Sequence, residues 1–367
     1  MDKTAPFITG GTLLAASGDA RDDDDEVCMQ AQGLMFAYNV SMVLRAAIQL
    51  GLLDALVVAA DGNAAVTAVE LTERIQQLAA AATADKAGVA VSVDRILRYL
   101  ACFNVVRCST ETGPDGTAVR RYTAAPLCRW VAGNNGGQGS LSPFAVFLVD
   151  EDHLLPWHHL AAAVAGGGPT PPFERTQGLP FFDYMGRKNQ RLGALYNTAM
   201  AQHSVILVTK MLERFKGFDG VRRLVDVGGG TGSTLGMITS RFDDLTGVEH
   251  VAGNMYESVP AGDAVLLQWI LVMLSDEDCI KILKNCHQAL PEDGKVIIVD
   301  GLLPEHPDTT LAARDSFTID IGMLILHFGG KQRTEKEFAK LAKDSGFTGV
   351  VRSTYIFLNF YALEFSK

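Results

Sequence analysis

The residues with the clearest chemical meaning in this sequence are three alternating glycines, Gly228, Gly230 and Gly232. They follow an apolar run at 224–227 that contains the acid Asp226, and they precede a predicted helix at 233–240. A buried strand, a tight glycine turn and a helix together predict a nucleotide-like cofactor site, because glycine lets the backbone approach a ligand and a helix start offers unpaired N–H groups. By itself, such a glycine pattern is a purely structural turn about as often as it is a cofactor site. The strand before it and the helix after it favour the cofactor site here.

The surrounding residues narrow the choice of cofactor. No Gly-Lys-Ser/Thr follows the turn, so ATP or GTP hydrolysis is not expected. NAD and S-adenosylmethionine remain. The acid two positions before the first glycine favours S-adenosylmethionine.

Composition bounds the class of protein. A chain of 367 residues can form two domains, and 48% hydrophobic with 20% charged residues is typical of a soluble globular protein. The net charge of -10 disfavours nucleic acid or an anionic membrane as a partner. No apolar run reaches the length of a membrane span.

The six cysteines are scattered and contain no C-x-x-C pair, so no zinc site, other metal site or disulfide framework is expected. Reduced thiols indicate a cytoplasmic protein. Residues 1–26 carry no signal-peptide pattern and end in an acidic run, which predicts a disordered tail.

Residues 27–135 are expected to form a mainly helical domain. Helical spacing of apolar residues predicts two helices over Cys28–Leu56. Four of their residues look too apolar to stay exposed, so we expect a homodimer through Val40, Val43, Ala47 and Leu50. The rest of the domain is predicted as a helix at 69–78, a loop at 79–90, a helix at 93–102 and a β-hairpin of 105–109 with 119–123.

Helices followed by a hairpin form a winged-helix pattern. DNA binding is the weaker interpretation of this pattern, because the helix at 93–102 carries only Arg95 and Arg98 and has no basic face. A structural or dimerising wing is favoured.

Residues 136–220 are expected to be a helical linker and substrate-pocket segment, and 221–367 an α/β Rossmann-like domain with an antiparallel ending. The predicted strands of that domain are 224–227, 264–268, 295–300, 350–354 and 360–365, and its helices are 233–240, 276–290 and 334–345.

The chain resembles the plant small-molecule O-methyltransferases of the caffeic acid type along nearly its whole length after the tail. The segments that carry the resemblance are 36–56, 94–106, 181–215, 224–232, 248–260, 263–270, 285–299 and 329–338. Within that family it is most similar to the grass gramine-pathway branch, which methylates an aminomethylindole. The resemblance implies an S-adenosylmethionine-binding Rossmann-like domain, a dimerisation domain, a homodimer and a small aromatic acceptor in plant secondary metabolism. A pocket is expected from Trp157, Phe182, Met200, Met273, Met323 and His327.

The first departure from the family concerns its catalytic histidine. That position is Val272 here, and the two acids that flank the histidine in the family correspond to Asp300 and Gln332. Valine cannot accept a proton, whereas a phenol with a pKa of about 10 needs a base. A neutral amine carries its own lone pair, so the departure favours amine methylation, with decay of a duplicated enzyme as the alternative.

The second departure concerns cofactor binding. The family strand that ends in the ribose-binding Asp is absent, since 239–246 runs directly into Gly247-Val248-Glu249-His250-Val251. Val248–Val251 sliding into that place would bring Glu249 near the ribose. The further cofactor-binding candidates are Asn254, at the position of the family's adenine-contacting acid, Met255, and Gln268, at the position of a family Lys.

Four functions therefore compete. The first is a methyltransferase acting on a small aromatic amine. The second is a phenolic O-methyltransferase that uses another base, such as His327. The third is a catalytically weak or inactive dimer partner, and the last is a winged-helix regulator.

Overall fold

A computed structural model describes residues 23–61, 64–113, 115–133, 136–245, 247–349 and 351–367. Most of the predicted acidic tail, 1–22, lies outside the described residues. The tail prediction is wrong for 23–26, which form the first turn of a helix.

The N-terminal domain is a helical unit with a two-stranded wing. Its elements are α1 (Asp23–Met35), α2 (Ala37–Gln49), α3 (Leu52–Asp61), α4 (Ala68–Arg74), α5 (Gln76–Cys102), β1 (Val106–Thr112), β2 (Ala118–Ala124) and α6 (Cys128–Val131). β1 and β2 pair antiparallel, as the hairpin prediction required. Leu56, Leu97 and Leu100 are completely buried in its core together with Tyr122 from the wing.

One prediction for this domain is wrong. The segment 79–90 was predicted as a loop but belongs to α5, which bends at Asp85; an alanine-rich sequence has high intrinsic helix propensity. Of the four residues expected at a dimer interface, Ala47 is completely buried and Val43 and Leu50 pack against the core of their own domain, while Val40 is partly buried. The homodimer itself stays a prediction. The exposed apolar residues of α1 and α2 are Val27, Met29, Leu34, Met35, Tyr38 and Met42, with Phe36 between the two helices.

A second helical region links the two domains. It contains α7 (Ser142–Leu148), α8 (Glu151–Leu154), a 3₁₀ turn (Leu155–His159), α9 (Leu160–Gly166), α10 (Pro172–Gln177), α11 (Phe181–Asp183), a π turn (Tyr184–Lys188) and α12 (Gln190–Arg214). Phe147, Phe173 and Phe181 form the centre of its own aromatic core.

The C-terminal domain confirms the predicted α/β class. Its elements are β3 (Leu224–Asp226), α13 (Ser233–Thr239), β4 (Ala264–Gln268), a 3₁₀ turn (Leu271–Met273), α14 (Asp276–Ala289), β5 (Lys295–Gly301), α15 (Leu311–Leu326), α16 (Glu335–Asp344), β6 (Arg352–Phe357) and β7 (Phe360–Ser366). The sheet order is β3-β4-β5-β7-β6, with β3, β4 and β5 parallel and β7 antiparallel to both neighbours. The helix α15 had not been predicted.

β3 is an edge strand of this sheet. In a doubly wound sheet the glycine strand normally lies inside, with a further strand on each side. Here β3 pairs with β4 alone, and no other described strand joins it. The sequence offered Val248–Val251 as a replacement for the absent strand, but residues 247–254 have no regular structure and are exposed.

Among the described residues no single helix has the length and apolar character of a membrane span, while the bent pair Asp24–Met35 and Ala37–Gln49 meets that test by length and composition. The same part of the chain contains no group of three or more His, Cys, Asp or Glu residues arranged to hold a metal ion.

Candidate active site

The glycine turn lies at the carboxyl end of β3. Gly228 has a φ of +73°, and a Cβ at this position would lie 2.5 Å from Ile270 Cδ1. Gly230 and Gly232 also have positive φ, but the space beside each of them is open. The lack of a side chain therefore lets Gly228 pack closely against Ile270 and leaves the backbone at Gly230 and Gly232 accessible to a ligand.

Asp226 ends β3 beside this turn. Its Oδ2 atom is buried without a hydrogen-bond partner among the described residues, and burial raises its pKa to about 6. A Cβ on Gly229 would lie 2.3 Å from the same oxygen. Because a buried acceptor without a donor is costly, a ligand that donates a hydrogen bond here would be favoured.

Gln268 connects the end of β4 to two helices. Its Oε1 accepts a hydrogen bond from Thr234 Oγ1 on α13, and its Nε2 donates to Ser204 Oγ on α12, both at 3.0 Å. The next residue, Trp269, has a φ of +58°, which is unusual for a bulky side chain. Gln268 thus holds the helix that follows the glycine turn.

The 3₁₀ turn Leu271–Met273 contains the position of the family's base. Val272 is 1% exposed, and its backbone N–H donates to Asp300 Oδ2 at 3.2 Å. Asp300 Oδ1 accepts from the Gly301 N–H at 2.9 Å. Burial raises the pKa of Asp300 to about 7, although the two N–H groups and the charge of Arg333 act in the opposite direction.

Gln332 lies against the same strand end. It is 2% exposed, and both atoms of its amide lack a hydrogen-bond partner within the described structure. A Cβ on Gly301 would lie 2.8 Å from Gln332 Nε2, and the Lys331 N–H donates to the Val272 carbonyl at 2.9 Å. The fold therefore brings together Val272, Asp300 and Gln332.

Arg333, which was not predicted as a site residue, fixes this turn. Its guanidinium is fully buried and donates to the carbonyl oxygens of Leu271 at 2.6 Å and Leu274 at 2.8 Å. It also contacts Asp276 Oδ1 at 2.8 and 2.9 Å. The local sequence signal was a charged residue next to Gln332, because these partners lie 57 to 62 positions away, while a nearer contact is the Lys331 carbonyl at 3.3 Å.

Four of the predicted pocket residues belong to one aromatic region. Trp157, Met200 and Met323 pack against the core around Phe181. Phe182 is half-exposed, with its ring 5.6 Å from that of His327.

The remaining two flank Gly330. Met273 packs against the core on the α14 side of the sheet, and a Cβ on Gly330 would lie 2.9 Å from His327 Cβ and 3.1 Å from the Met273 carbonyl. A cavity of about 190 Å³ opens beside His327 between Leu160, Val164, Pro171, Leu324 and Phe328. A larger cavity of about 690 Å³ lies near Leu302, Asn359 and Lys336, and no predicted site residue lines it.

Two histidines with lowered pKa values lie near the predicted pocket, His203 buried and His327 partly buried. Burial lowers the pKa of His327, which contacts the Phe181 and Phe182 rings, to about 4. Burial also lowers the pKa of His203 to about 4, and its ring lies 5.2 Å from the Trp269 ring. Both imidazoles are therefore neutral and weakly basic at pH 7.

The last three predicted cofactor residues lie in or next to the segment 247–254. Glu249 is exposed. Asn254 is engaged in its own turn, accepting from the Tyr256 N–H and donating to Glu257 Oε1. The Met255 carbonyl accepts from Asn285 Nδ2 at 2.8 Å. Within the described residues, no hydrogen bond joins these three to the glycine turn.

Comparison with known proteins identifies the family. Residues 32–134 match the O-methyltransferase dimerisation domain, and residues 157–247 and 240–348 match the O-methyltransferase domain. The 3-aminomethylindole N-methyltransferase of Hordeum vulgare subsp. vulgare is 64% identical over 386 aligned positions that cover 100% of both chains. A rice protein (Oryza sativa subsp. japonica), named as a probable inactive methyltransferase, is 52% identical and covers 98% of both chains. Human N-acetylserotonin methyltransferase, solved in complex with S-adenosylmethionine, has the same fold, with a TM-score of 0.74 at 18% identity over 95% of this chain and 99% of that one.

The chain belongs to the O-methyltransferase family and is an S-adenosylmethionine-dependent methyltransferase by fold and family. Within that family it is similar over at least 98% of its length both to a 3-aminomethylindole N-methyltransferase and to a relative named as probably inactive.

The comparisons also bear on the missing strand. The two parts of the O-methyltransferase match meet at 240–247, directly after α13. The alignment with the barley enzyme has 386 positions against 367 residues in this chain, which leaves at least 19 positions without a residue here. Both findings are expected if a family segment is absent at the free edge of β3.

S-adenosylmethionine fits this site in part. The open glycine turn and the orphaned Asp226 oxygen provide a cradle and an acceptor. The strand that carries the ribose contact in the family has no counterpart among the described strands beside β3. Within the part of the chain that the structure describes, the β3 side of a cofactor site is present, and no strand lies on the outer side of β3.

Proposed function

We propose that this chain transfers a methyl group from S-adenosylmethionine to a small aromatic amine in preference to a phenol. The observation that carries the proposal is Val272, which occupies the base position and offers only a backbone N–H to its acidic neighbour, Asp300. S-adenosylmethionine, when bound, supplies the electrophilic methyl group.

The acceptor's own acid–base chemistry explains the preference. A phenol has a pKa of about 10 and must lose its proton before or during attack, so a positioned base is worth about 10²–10⁴ in rate. A neutral amine needs only orientation and its free-base form. The buried Val272 and the partly buried Met273 and Leu274 form an apolar wall that disfavours the ammonium.

The phenolic alternative requires another base, and His327 is the candidate. Its pKa of about 4 reflects its position among aromatic rings, where the imidazolium would be poorly solvated. A base this weak is a poor proton acceptor for a phenol. The barley relative is named as a 3-aminomethylindole N-methyltransferase, which supports the amine.

A second candidate function is that of a catalytically weak or inactive dimer partner. The free edge of β3 favours it, because the outer wall of the cofactor site is absent there. The rice relative named as inactive is compatible with this reading. Methyl transfer by this chain at the rate of an active relative would exclude it.

We also propose a homodimer, because the exposed Leu34, Met35 and Phe36 form an apolar surface on α1 and its junction with α2. Light scattering at micromolar concentration is the test, and a monomer would contradict it. A role in plant secondary metabolism and a cytoplasmic location remain predictions.

The test of the activity compares an indolic amine with a phenol, using radiolabelled S-adenosylmethionine between pH 5 and 10. The amine rate should rise with pH and flatten above the pKa of the substrate, without an enzyme limb near about 6.5. Faster turnover of the phenol, with a histidine-like limb, would overturn the proposal.

A further inference from the structure

The free edge of β3 is the starting point. β3 has three residues and exposes one side of its backbone ladder, since β4 pairs with the other side only. Unpaired ladder groups at an edge are a template for another strand. The occupant must come from a segment that can reach this edge.

The chain that follows α13 passes this edge. Phe242 and Leu245 pack in the core on the α12 side of the sheet, with the Phe242 ring 5.8 Å from that of Phe218. Met255 packs in the core on the opposite side, with Val225 and Cys279. The chain therefore changes faces between 245 and 255, and the nearest route passes around β3.

The segment 247–254 has the residues needed for an added strand. Val248 and Val251 are 49% and 57% exposed, although both have high strand propensity. Four residues in a strand span roughly 13 Å, enough to cover the whole of β3. A parallel strand at this place, connected through α13, completes an ordinary β-α-β unit.

Glu249 then has the spacing of a ribose-binding acid. It follows Gly228 by 21 positions, and in dinucleotide-binding Rossmann domains the acid that binds the ribose lies about 20 residues beyond the glycines. An acid on the strand next to the glycine strand is suited to accept hydrogen bonds from a ribose diol.

We propose that cofactor binding pairs Val248–Val251 with the free edge of β3, and that Glu249 then binds the ribose of S-adenosylmethionine in place of the absent family acid. The inference rests on the proposed function, because it presumes that the chain binds this cofactor.

Hydrogen exchange with and without S-adenosylhomocysteine tests the pairing without any need for turnover. The amides of 248–251 and 224–226 should exchange at least tenfold more slowly with the ligand at every protein concentration. Protection that appears without ligand and grows with protein concentration would show that a second copy occupies the edge, and it would overturn the proposal.

Calorimetry with S-adenosylhomocysteine tests the acid. Glu249→Gln should weaken binding by about tenfold to a hundredfold, since it removes a charged acceptor. Asp244→Asn, which changes an exposed acid just before the segment, should stay within about twofold. Binding unaffected by Glu249→Gln, without protection of 248–251, overturns this inference and leaves the proposed function intact. No binding by the original chain overturns the proposed function and this inference with it.

Discussion

Replacing Val272 by histidine returns an imidazole to the position where the family carries its base. A well-positioned base is worth about 10²–10⁴ in rate for a phenol. Two features of the structure reduce the gain. Burial raises the pKa of Asp300 to about 7, which disfavours its ionised form, and Gln332 is neutral. A charged hydrogen bond exceeds a neutral one by about 1–1.5 kcal/mol, or roughly tenfold, so we expect a gain of about 10- to 1000-fold for a phenol and little change for an amine.

The assay compares both acceptors on the original chain, Val272→His and Val272→Phe. Val272→Phe is the matched control, because it adds a ring of similar shape without a nitrogen. Both variants overfill a site that is 1% exposed, so each should lose about 1–3 kcal/mol of stability, and folding must be checked by thermal unfolding. The phenol rate of Val272→His should acquire an acidic pH limb that the rate of Val272→Phe lacks. A folded, cofactor-binding Val272→His that is no faster on phenols than Val272→Phe would refute our assignment of position 272.

Three further substitutions test the framework around the site. Arg333→Met should lower the free energy of unfolding in urea by about 2–4 kcal/mol, because it leaves the Leu271 and Leu274 carbonyls without their donor. The control Lys336→Met changes an 81% exposed side chain and should cost under about 0.5 kcal/mol. Equal losses would show that Arg333 does not stabilise the turn at 271–273. Gly229→Ala should abolish measurable S-adenosylhomocysteine binding, because the new Cβ would lie 2.3 Å from Asp226 Oδ2. The control Gly236→Ala has open space around it on α13, so it should keep binding and add about 0.5–1 kcal/mol of stability. Burial raises the pKa of Asp300 to about 7, so between about pH 4 and 7 the folded state holds a proton that the unfolded state releases. The resulting stability is fully present below about pH 4 and is lost as the pH rises through 7. Asp300→Asn should flatten that part of the plot of unfolding free energy against pH, and an unchanged slope would show that Asp300 is ionised in the folded chain.

Local pattern was sufficient for much of the fold. The apolar run before Gly228 and the apolar strands at 264–268 and 295–300 predicted the parallel sheet, because buried strands leave a signal within a few residues. The helix α15 was missed because it is apolar on most faces, with buried Ile325 and exposed Ile321, so its periodicity is weak. The bend of α5 at Asp85 was likewise hidden by a run of alanines.

The site depended more on distant partners. The adjacency of Val272, Asp300 and Gln332 followed from resemblance alone, since these residues are separated by up to 60 positions. No local sequence signature predicts the buried hydrogen bonds of Arg333 to the Leu271 and Leu274 carbonyls. The same holds for the two hydrogen bonds by which Gln268 joins α12 and α13. Such contacts depend on which distant segments of the chain pack together, and neither composition nor hydrophobic periodicity predicts that packing.

The two departures from the family affect different steps, and this decides what each experiment can establish. We expect the loss of the base at 272 to alter the choice between amine and phenol, while the turn that carries Val272 is still held by Asp300 and Arg333. We expect the absence of a strand beside β3 to alter cofactor binding, while β3 itself keeps its pairing with β4, and its short edge limits the exposed ladder to three residues. The glycine turn follows β3 and the turn at 271–273 follows β4, and these two strands remain paired. Since the cofactor supplies the methyl group, a restored base at 272 can raise the rate of methyl transfer only if the chain binds the cofactor. Glu249 is therefore the first residue to test, and Val272 the second.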